Sequence, residues 1–167
     1  MANRLWWKRP SQNRLVRNPL PSPRRRACLK MPDEVVAFFA YGTLKRGEVR
    51  EKHWPARPIA VLRGSTPGSL WEVADYPGMK IEGETRVMGE IWLFPASQEQ
   101  RVLEVLDEVE GYPSLYTREV VACETLDGQP ISATVYLYNQ PILPNHAPVP
   151  ADDQGLVTWR GLGQRFS

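Results

Sequence analysis

Runs of apolar and β-prone residues alternate with turn residues along most of the chain, and they predict a protein built mainly from short strands. The runs at 116–125 and 131–138 flank the sequence LDGQ, which is typical of a β-hairpin turn. Prolines limit other runs: Tyr76-Pro77-Gly78 is predicted to lie in a loop, and Pro95 is predicted to end a strand. Strand candidates lie within 35–41, 55–69, 69–81, 85–94, 116–125 and 131–138.

One segment, residues 97–111, has the periodicity of an α-helix instead. Ser97 followed by Gln100 fits a capping box, and Gly111 is placed to end the helix. Several strands with a single substantial helix predict an α+β domain whose sheet is curled or closed. The regular alternation of strands and helices that builds a doubly wound fold is absent.

The two sides of this helix differ in chemistry. At about 100° per residue, Val102, Leu103 and Leu106 share one face. Glu110 falls between the two leucines, whereas the other carboxylates, of Glu104, Asp107 and Glu108, fall on the opposite side. Partial burial and the negative end of the helix dipole both favour a protonated carboxyl. Glu110 is therefore either an end residue that turns to water or a group suited to proton transfer near neutral pH.

Charge divides the chain into two parts. Residues 1–32 hold nine Lys or Arg and no acidic residue (+9), whereas 33–167 hold twelve basic and nineteen acidic residues (−7), which gives the net +2. We interpret 1–32 as a disordered Pro/Arg-rich extension, 33–140 as the folded domain and 141–167 as an irregular C-terminal extension. The basic arm could instead contact nucleic acid, act as a transit peptide, or precede a true start at Met31.

The sequence favours a cytoplasmic protein without a metal centre. Cys28 and Cys123 form no CxxC motif and no disulfide framework, and His53 and His146 are too separated for ligand spacing. No apolar stretch approaches the roughly 20 residues of a membrane helix, so we expect no membrane partner. P-loop and GxSxG motifs are also absent.

The sequence YGTLKRG follows the first strand and is a candidate binding loop. A glycine turn at the end of a strand exposes successive backbone N–H groups, which can bind a carboxylate or a developing oxyanion. The alternative is an ordinary structural β-turn.

Two motifs resemble the γ-glutamylcyclotransferase-like (AIG2-like) family. FAYGTLKRG, at 39–47, is similar to the family's N-terminal signature and closest to the γ-glutamylamine cyclotransferase branch. LDEVEG, at 106–111, followed by Tyr116 and Arg118, is similar to its second signature. The resemblance covers about residues 35–140.

This resemblance implies a small mixed β-barrel-like fold with flanking helices, and a reaction that uses neither cofactor nor metal. In that reaction the α-amine of a γ-glutamyl amine or peptide attacks its own γ-carbonyl, which releases 5-oxoproline. The loop Tyr41-Gly42-Thr43-Leu44 would hold the glutamyl end, and Glu110 would be the catalytic glutamate. Tyr116 either lines the pocket or packs in the core, and Arg118 is expected to form a structural ion pair.

Two other functions stay open from the sequence alone. A member of this fold could bind an amino-acid-like ligand without turning it over, or the basic arm could bind nucleic acid. Retention of Glu110 favours the enzyme, and one Arg triplet carries little weight for nucleic acid. The sequence does not distinguish among γ-glutamyl substrates.

Overall fold

The computed structural model describes residues 34–161, so the predicted basic arm lies outside the described residues. The long strands are β1 (Val35–Ala40), β2 (Ala60–Pro67), β5 (Arg86–Pro95), β6 (Tyr116–Thr125) and β7 (Pro130–Tyr138). Four short strands are β3 (Ser69–Glu72), β4 (Pro77–Lys80), β8 (Ala147–Pro148) and β9 (Leu156–Val157). The helix α1 spans Glu99–Glu110, and 3-10 turns occupy Glu51–His53 and Ala96–Gln98.

Five strands form a closed mixed barrel. Their order is β1-β7-β6-β2-β5, and β5 pairs with β1 to close it. The β1–β7 pair is parallel and the other four pairs are antiparallel. The predicted α+β barrel-like class and the β6–β7 hairpin are confirmed, although residues 34–161 contain one α-helix where the resemblance implied several.

A second, three-stranded sheet has the order β4-β3-β8. The prediction of a loop at Tyr76-Pro77-Gly78 is wrong for its last two residues, because Pro77 and Gly78 belong to β4 and pair with Glu72 and Trp71. A strand at the edge of a sheet tolerates proline, since a missing N–H leaves no ladder acceptor unpaired. This placement brings Pro77 to the wall of the site.

The predicted helix ends where expected but begins differently. Gly111 adopts the left-handed conformation (φ 65°, ψ 38°) that ends α1. The capping box is wrong: α1 starts at Glu99 after a 3-10 turn that contains Ser97, and no side chain caps it. The chain enters the helix through that turn, so Ser97 is not at the N-cap position.

Successive residues of β1 belong to two separate apolar clusters. Phe39 packs inside the barrel, in a cluster with Ile91 and Val135 among others. Phe38 points to the other side of the strand and joins a cluster that includes Val102 and Leu106 of α1. The helix is thereby held against the outside of β1, and its last residue is buried as the periodicity predicts.

The segment after β7, interpreted from the sequence as an irregular extension, contributes to the body of the fold. Its strand β9 pairs with Arg86 and Val87 of β5. Val157 and Trp159 are buried, and the Trp159 carbonyl accepts a 2.8 Å hydrogen bond from Lys45 Nζ.

Candidate active site

A pocket opens where the chain leaves β1. About 330 Å³ of space lies between its walls, a volume that includes the open mouth. Its walls come from β1, the turn after it, the end of α1, and strands β4, β6 and β7. All six site residues proposed from the sequence lie on it, and the full lining is Phe39, Ala40, Tyr41, Gly42, Thr43, Leu44, Pro77, Glu110, Tyr116 and Tyr136.

In the turn after β1, the carbonyl groups of residues 42–44 accept hydrogen bonds from the protein, whereas the amides of the same residues donate none to the described part of the chain. The Gly42 carbonyl accepts from Lys45 N (3.1 Å) and the Thr43 carbonyl from Arg50 N (2.9 Å). The indole of Trp54 donates to the Leu44 carbonyl at 2.9 Å. Within residues 34–161, the N–H groups of Gly42, Thr43 and Leu44 find no acceptor. Three adjacent donors are thus free for an anionic or carbonyl oxygen.

Gly42 is required for close approach rather than for an unusual backbone angle. A Cβ at this position would lie 2.7 Å from Cγ of Pro77, well inside van der Waals contact. Its φ is not positive, unlike that of Gly47 in the same turn. The turn and β4 therefore meet so closely that any side chain at position 42 would displace the pocket wall.

Glu110 is buried at the end of α1, with 6% of its surface exposed. Burial raises the pKa of its carboxyl to about 7, and the nearby Arg50 guanidinium acts in the opposite direction. A carboxyl with a pKa near 7 exists in both protonation states at neutral pH, so it can both accept and return a proton.

Arg50 does not line the pocket but contacts Glu110, and sequence reasoning missed it. Its Nη1 lies 3.7 Å from Glu110 Oε1, and 31% of its side chain is exposed. The recognised signature stops at Gly47, and no periodicity connects position 50 with the helix. The hydrogen bond from Arg50 N to the Thr43 carbonyl folds the chain back on the turn, and the 3-10 turn that follows Arg50 contacts α1.

Two tyrosines form walls of the pocket, and their hydroxyls are already engaged. Tyr41 Oη donates to the Tyr136 carbonyl and Tyr116 Oη to the Pro77 carbonyl, each at 2.6 Å. Burial is the main reason why the pKa of both phenols is raised, so both stay neutral. Tyr116 therefore both lines the pocket and packs in the core.

The expected ion pair of Arg118 is confirmed, and it corrects the place assigned to Asp107. Arg118 Nη1 donates to both oxygens of Asp107, at 2.8 and 2.9 Å. Tyr136 Oη donates to the same carboxylate at 2.6 Å. Asp107 is half-buried rather than on the solvent side, because Arg118 of β6 and Tyr136 of β7 reach its carboxylate. This ion pair connects β6 to α1, the helix that carries Glu110.

In the described part of the chain, no group of three or more His, Cys, Asp or Glu side chains is arranged to hold a metal ion. None of its helices has both the length and the apolar character needed to cross a membrane.

Comparison with known proteins places the chain in a family. The family model for gamma-glutamyl cyclotransferase, AIG2-like, matches residues 38–159, so the chain belongs to that family. No curated protein sequence matches it.

Two solved structures illustrate the shared fold. A mouse AIG2-like protein is 25% identical, with a TM-score of 0.56, and the match covers 77% of this chain and 98% of that one. An Arabidopsis thaliana protein is 23% identical, with a TM-score of 0.54, and the match covers 66% and 73% of the respective chains.

Proposed function

We propose that this protein is a cyclotransferase that releases 5-oxoproline from a γ-glutamyl amine or γ-glutamyl peptide. The observation that carries the proposal is the meeting of Glu110, buried and with a pKa of about 7, and three unpaired loop amides in one pocket. Membership of the family supports the class of reaction.

Glu110 would serve as both base and acid. Its carboxylate accepts a proton from the α-ammonium group, and the freed amine attacks the γ-carbonyl carbon to form a five-membered ring. The ring nitrogen loses a second proton as the C–N bond to the leaving amine breaks. Glu110 passes the two protons in turn to that amine, which departs as an ammonium and leaves Glu110 ionised as it began. The reaction consumes no water and changes no oxidation state, so its atoms balance within the substrate.

The loop would supply orientation and charge stabilisation. Ring closure needs no protein nucleophile, only a folded substrate conformation in which the amine faces the carbonyl. The free N–H groups of Gly42, Thr43 and Leu44 suit either the α-carboxylate or the oxyanion of the tetrahedral intermediate. Tyr41 and Tyr116 would limit the shape of the bound glutamyl group.

The test is 5-oxoproline release across a panel of γ-glutamyl dipeptides and γ-glutamyl-ε-lysine. Glu110→Gln preserves volume but cannot carry the proton, so turnover is expected to fall about 10²–10⁴-fold. The matched control is Glu108→Gln, on an exposed position of the same helix, which should keep wild-type activity.

Two outcomes would contradict the proposal. Full activity of Glu110→Gln would eliminate the proton-transfer role. Binding of 5-oxoproline by a wild-type protein that turns over no member of the panel would instead indicate a ligand-binding protein.

A further inference from the structure

Arg50 reaches Glu110 with a guanidinium that makes no hydrogen bond. Its one ionic contact within residues 34–161 is with Glu110, and the 3.7 Å separation exceeds hydrogen-bonding distance. A guanidinium has five N–H donors in a planar fork. About two thirds of the Arg50 side chain is covered, and its N–H donors have no hydrogen-bond acceptor within residues 34–161.

The backbone of Arg50 is attached to the candidate binding loop. The amide of Arg50 donates to the Thr43 carbonyl at 2.9 Å, and Thr43 lines the pocket. A neighbouring arginine in the same turn behaves differently: Arg46 is bonded to Glu90 at 3.1 Å and does not contact Glu110. Arg50 therefore presents a cation at the edge of the pocket, beside Glu110.

We infer that Arg50 is a specificity-determining residue that binds the α-carboxylate of the substrate. The inference rests on the proposed function, in which Glu110 receives the α-ammonium group. The α-carboxylate is attached to the same carbon as that ammonium, so it must lie close to Glu110, where Arg50 is. Glu110 and Arg50 then match the two opposite charges of an α-amino acid, and the planar fork suits a carboxylate.

This assignment separates two roles that the loop amides could otherwise fill. With the α-carboxylate on Arg50, the N–H groups of Gly42, Thr43 and Leu44 remain for the γ-carbonyl oxygen. The weak Arg50–Glu110 contact is exchanged for two ionic contacts with the substrate. Substrates without an α-carboxylate are consequently rejected.

The experiment compares two p-nitroanilides that differ only in that group. γ-Glutamyl-p-nitroanilide cyclises to 5-oxoproline, and 4-aminobutanoyl-p-nitroanilide cyclises to 2-pyrrolidinone; both release p-nitroaniline. We expect the wild type to have the higher kcat/KM for γ-glutamyl-p-nitroanilide. Arg50→Gln should reduce the ratio of the two kcat/KM values about 10- to 100-fold, which is the contribution of one hydrogen bond to a charged group. Arg50→Lys should be intermediate, and the control Arg46→Gln should leave the preference unchanged.

Several results would overturn the inference. An equal loss for both substrates in Arg50→Gln would mean that Arg50 acts only through Glu110. An unchanged preference would mean that the loop amides hold the carboxylate. Thermal melting of each variant establishes that it is folded before the ratio is interpreted.

Binding measurements separate this inference from the proposed function. Calorimetry with 5-oxoproline and 2-pyrrolidinone needs no turnover. If wild type cyclises neither anilide, the proposed function fails, yet a selective loss of 5-oxoproline affinity in Arg50→Gln still supports carboxylate binding by Arg50. Equal affinity of wild type for the two products, or no binding of either, overturns the inference.

Discussion

The hydroxyl of Tyr116 donates a 2.6 Å hydrogen bond to the carbonyl oxygen of Pro77, and this bond joins barrel strand β6 to strand β4 of the second sheet. The ring of Pro77 also faces Gly42 so closely that a Cβ there would lie 2.7 Å away. Pro77 thus connects the wall formed by Tyr116 with the loop. The shape of the pocket depends on contacts between two sheets.

Tyr116→Phe is expected to lower the free energy of unfolding by about 1–2 kcal/mol, because the buried Pro77 carbonyl loses its donor. We expect kcat to change less than tenfold, since the hydroxyl is engaged by protein rather than directed to a ligand. Urea unfolding and kinetics measure both. Tyr138→Phe is the control, because the Tyr138 hydroxyl makes no hydrogen bond within residues 34–161. A large loss of kcat with unchanged stability would assign Tyr116 a direct role in the reaction.

Gly42→Val is expected to abolish 5-oxoproline binding, because its side chain would collide with Pro77 and displace the loop amides. Thr43→Ser should be nearly silent in activity, since the loop acts through its backbone. Calorimetry with 5-oxoproline compares the two variants. Normal binding by a folded Gly42→Val protein would show that the loop is not the ligand site.

The activity of the wild type should depend on the ionisation of Glu110. Burial raises the pKa of this carboxyl to about 7, and only its ionised form accepts a proton. We therefore expect kcat/KM to fall below pH 7 with an apparent pKa near that value. In Arg50→Gln the apparent pKa of kcat/KM should be higher, because the nearby positive charge that favours the ionised carboxylate is removed. A profile that is flat from pH 5 to 8 would contradict the role of Glu110.

The same group should make stability depend on pH. A folded pKa of about 7, above the ordinary 4.5, means that the stabilisation is complete below about pH 4.5 and is lost as pH rises through about 7. At 1.36 kcal/mol per pKa unit, the loss approaches about 3 kcal/mol. Urea unfolding should show wild type losing this amount relative to Glu110→Gln between pH 4.5 and 8. A constant difference between the two proteins would mean that Glu110 titrates normally.

Removal of residues 1–30 should leave the melting temperature and activity nearly unchanged. Their composition, rich in arginine and proline, has no pattern able to bury a core. Removal of residues 1–40 is the contrasting control, because it deletes β1, which closes the barrel by pairing with β5 and β7. A clear fall in melting temperature for the shorter deletion would refute the interpretation of the arm.

Local patterns in the sequence were sufficient for several parts of this protein. The LDGQ turn specified the hairpin, and Gly111 specified the end of α1, because both depend on backbone conformations that a few adjacent residues decide. Helical periodicity placed Glu110 on the buried face, since the angular position of a residue depends only on its spacing. The two signatures identified the loop and the glutamate together.

Only the tertiary structure decided how these parts combine. Pro77 became part of an edge strand, and Asp107 became half-buried, because each is determined by the element that packs against it. Arg50 has no local signal at all: its contact with Glu110 exists because the turn folds back while the barrel brings the end of α1 to the same place. Sequence spacing determines which face of an element a residue occupies, whereas the partner of that face depends on contacts between residues far apart in the chain.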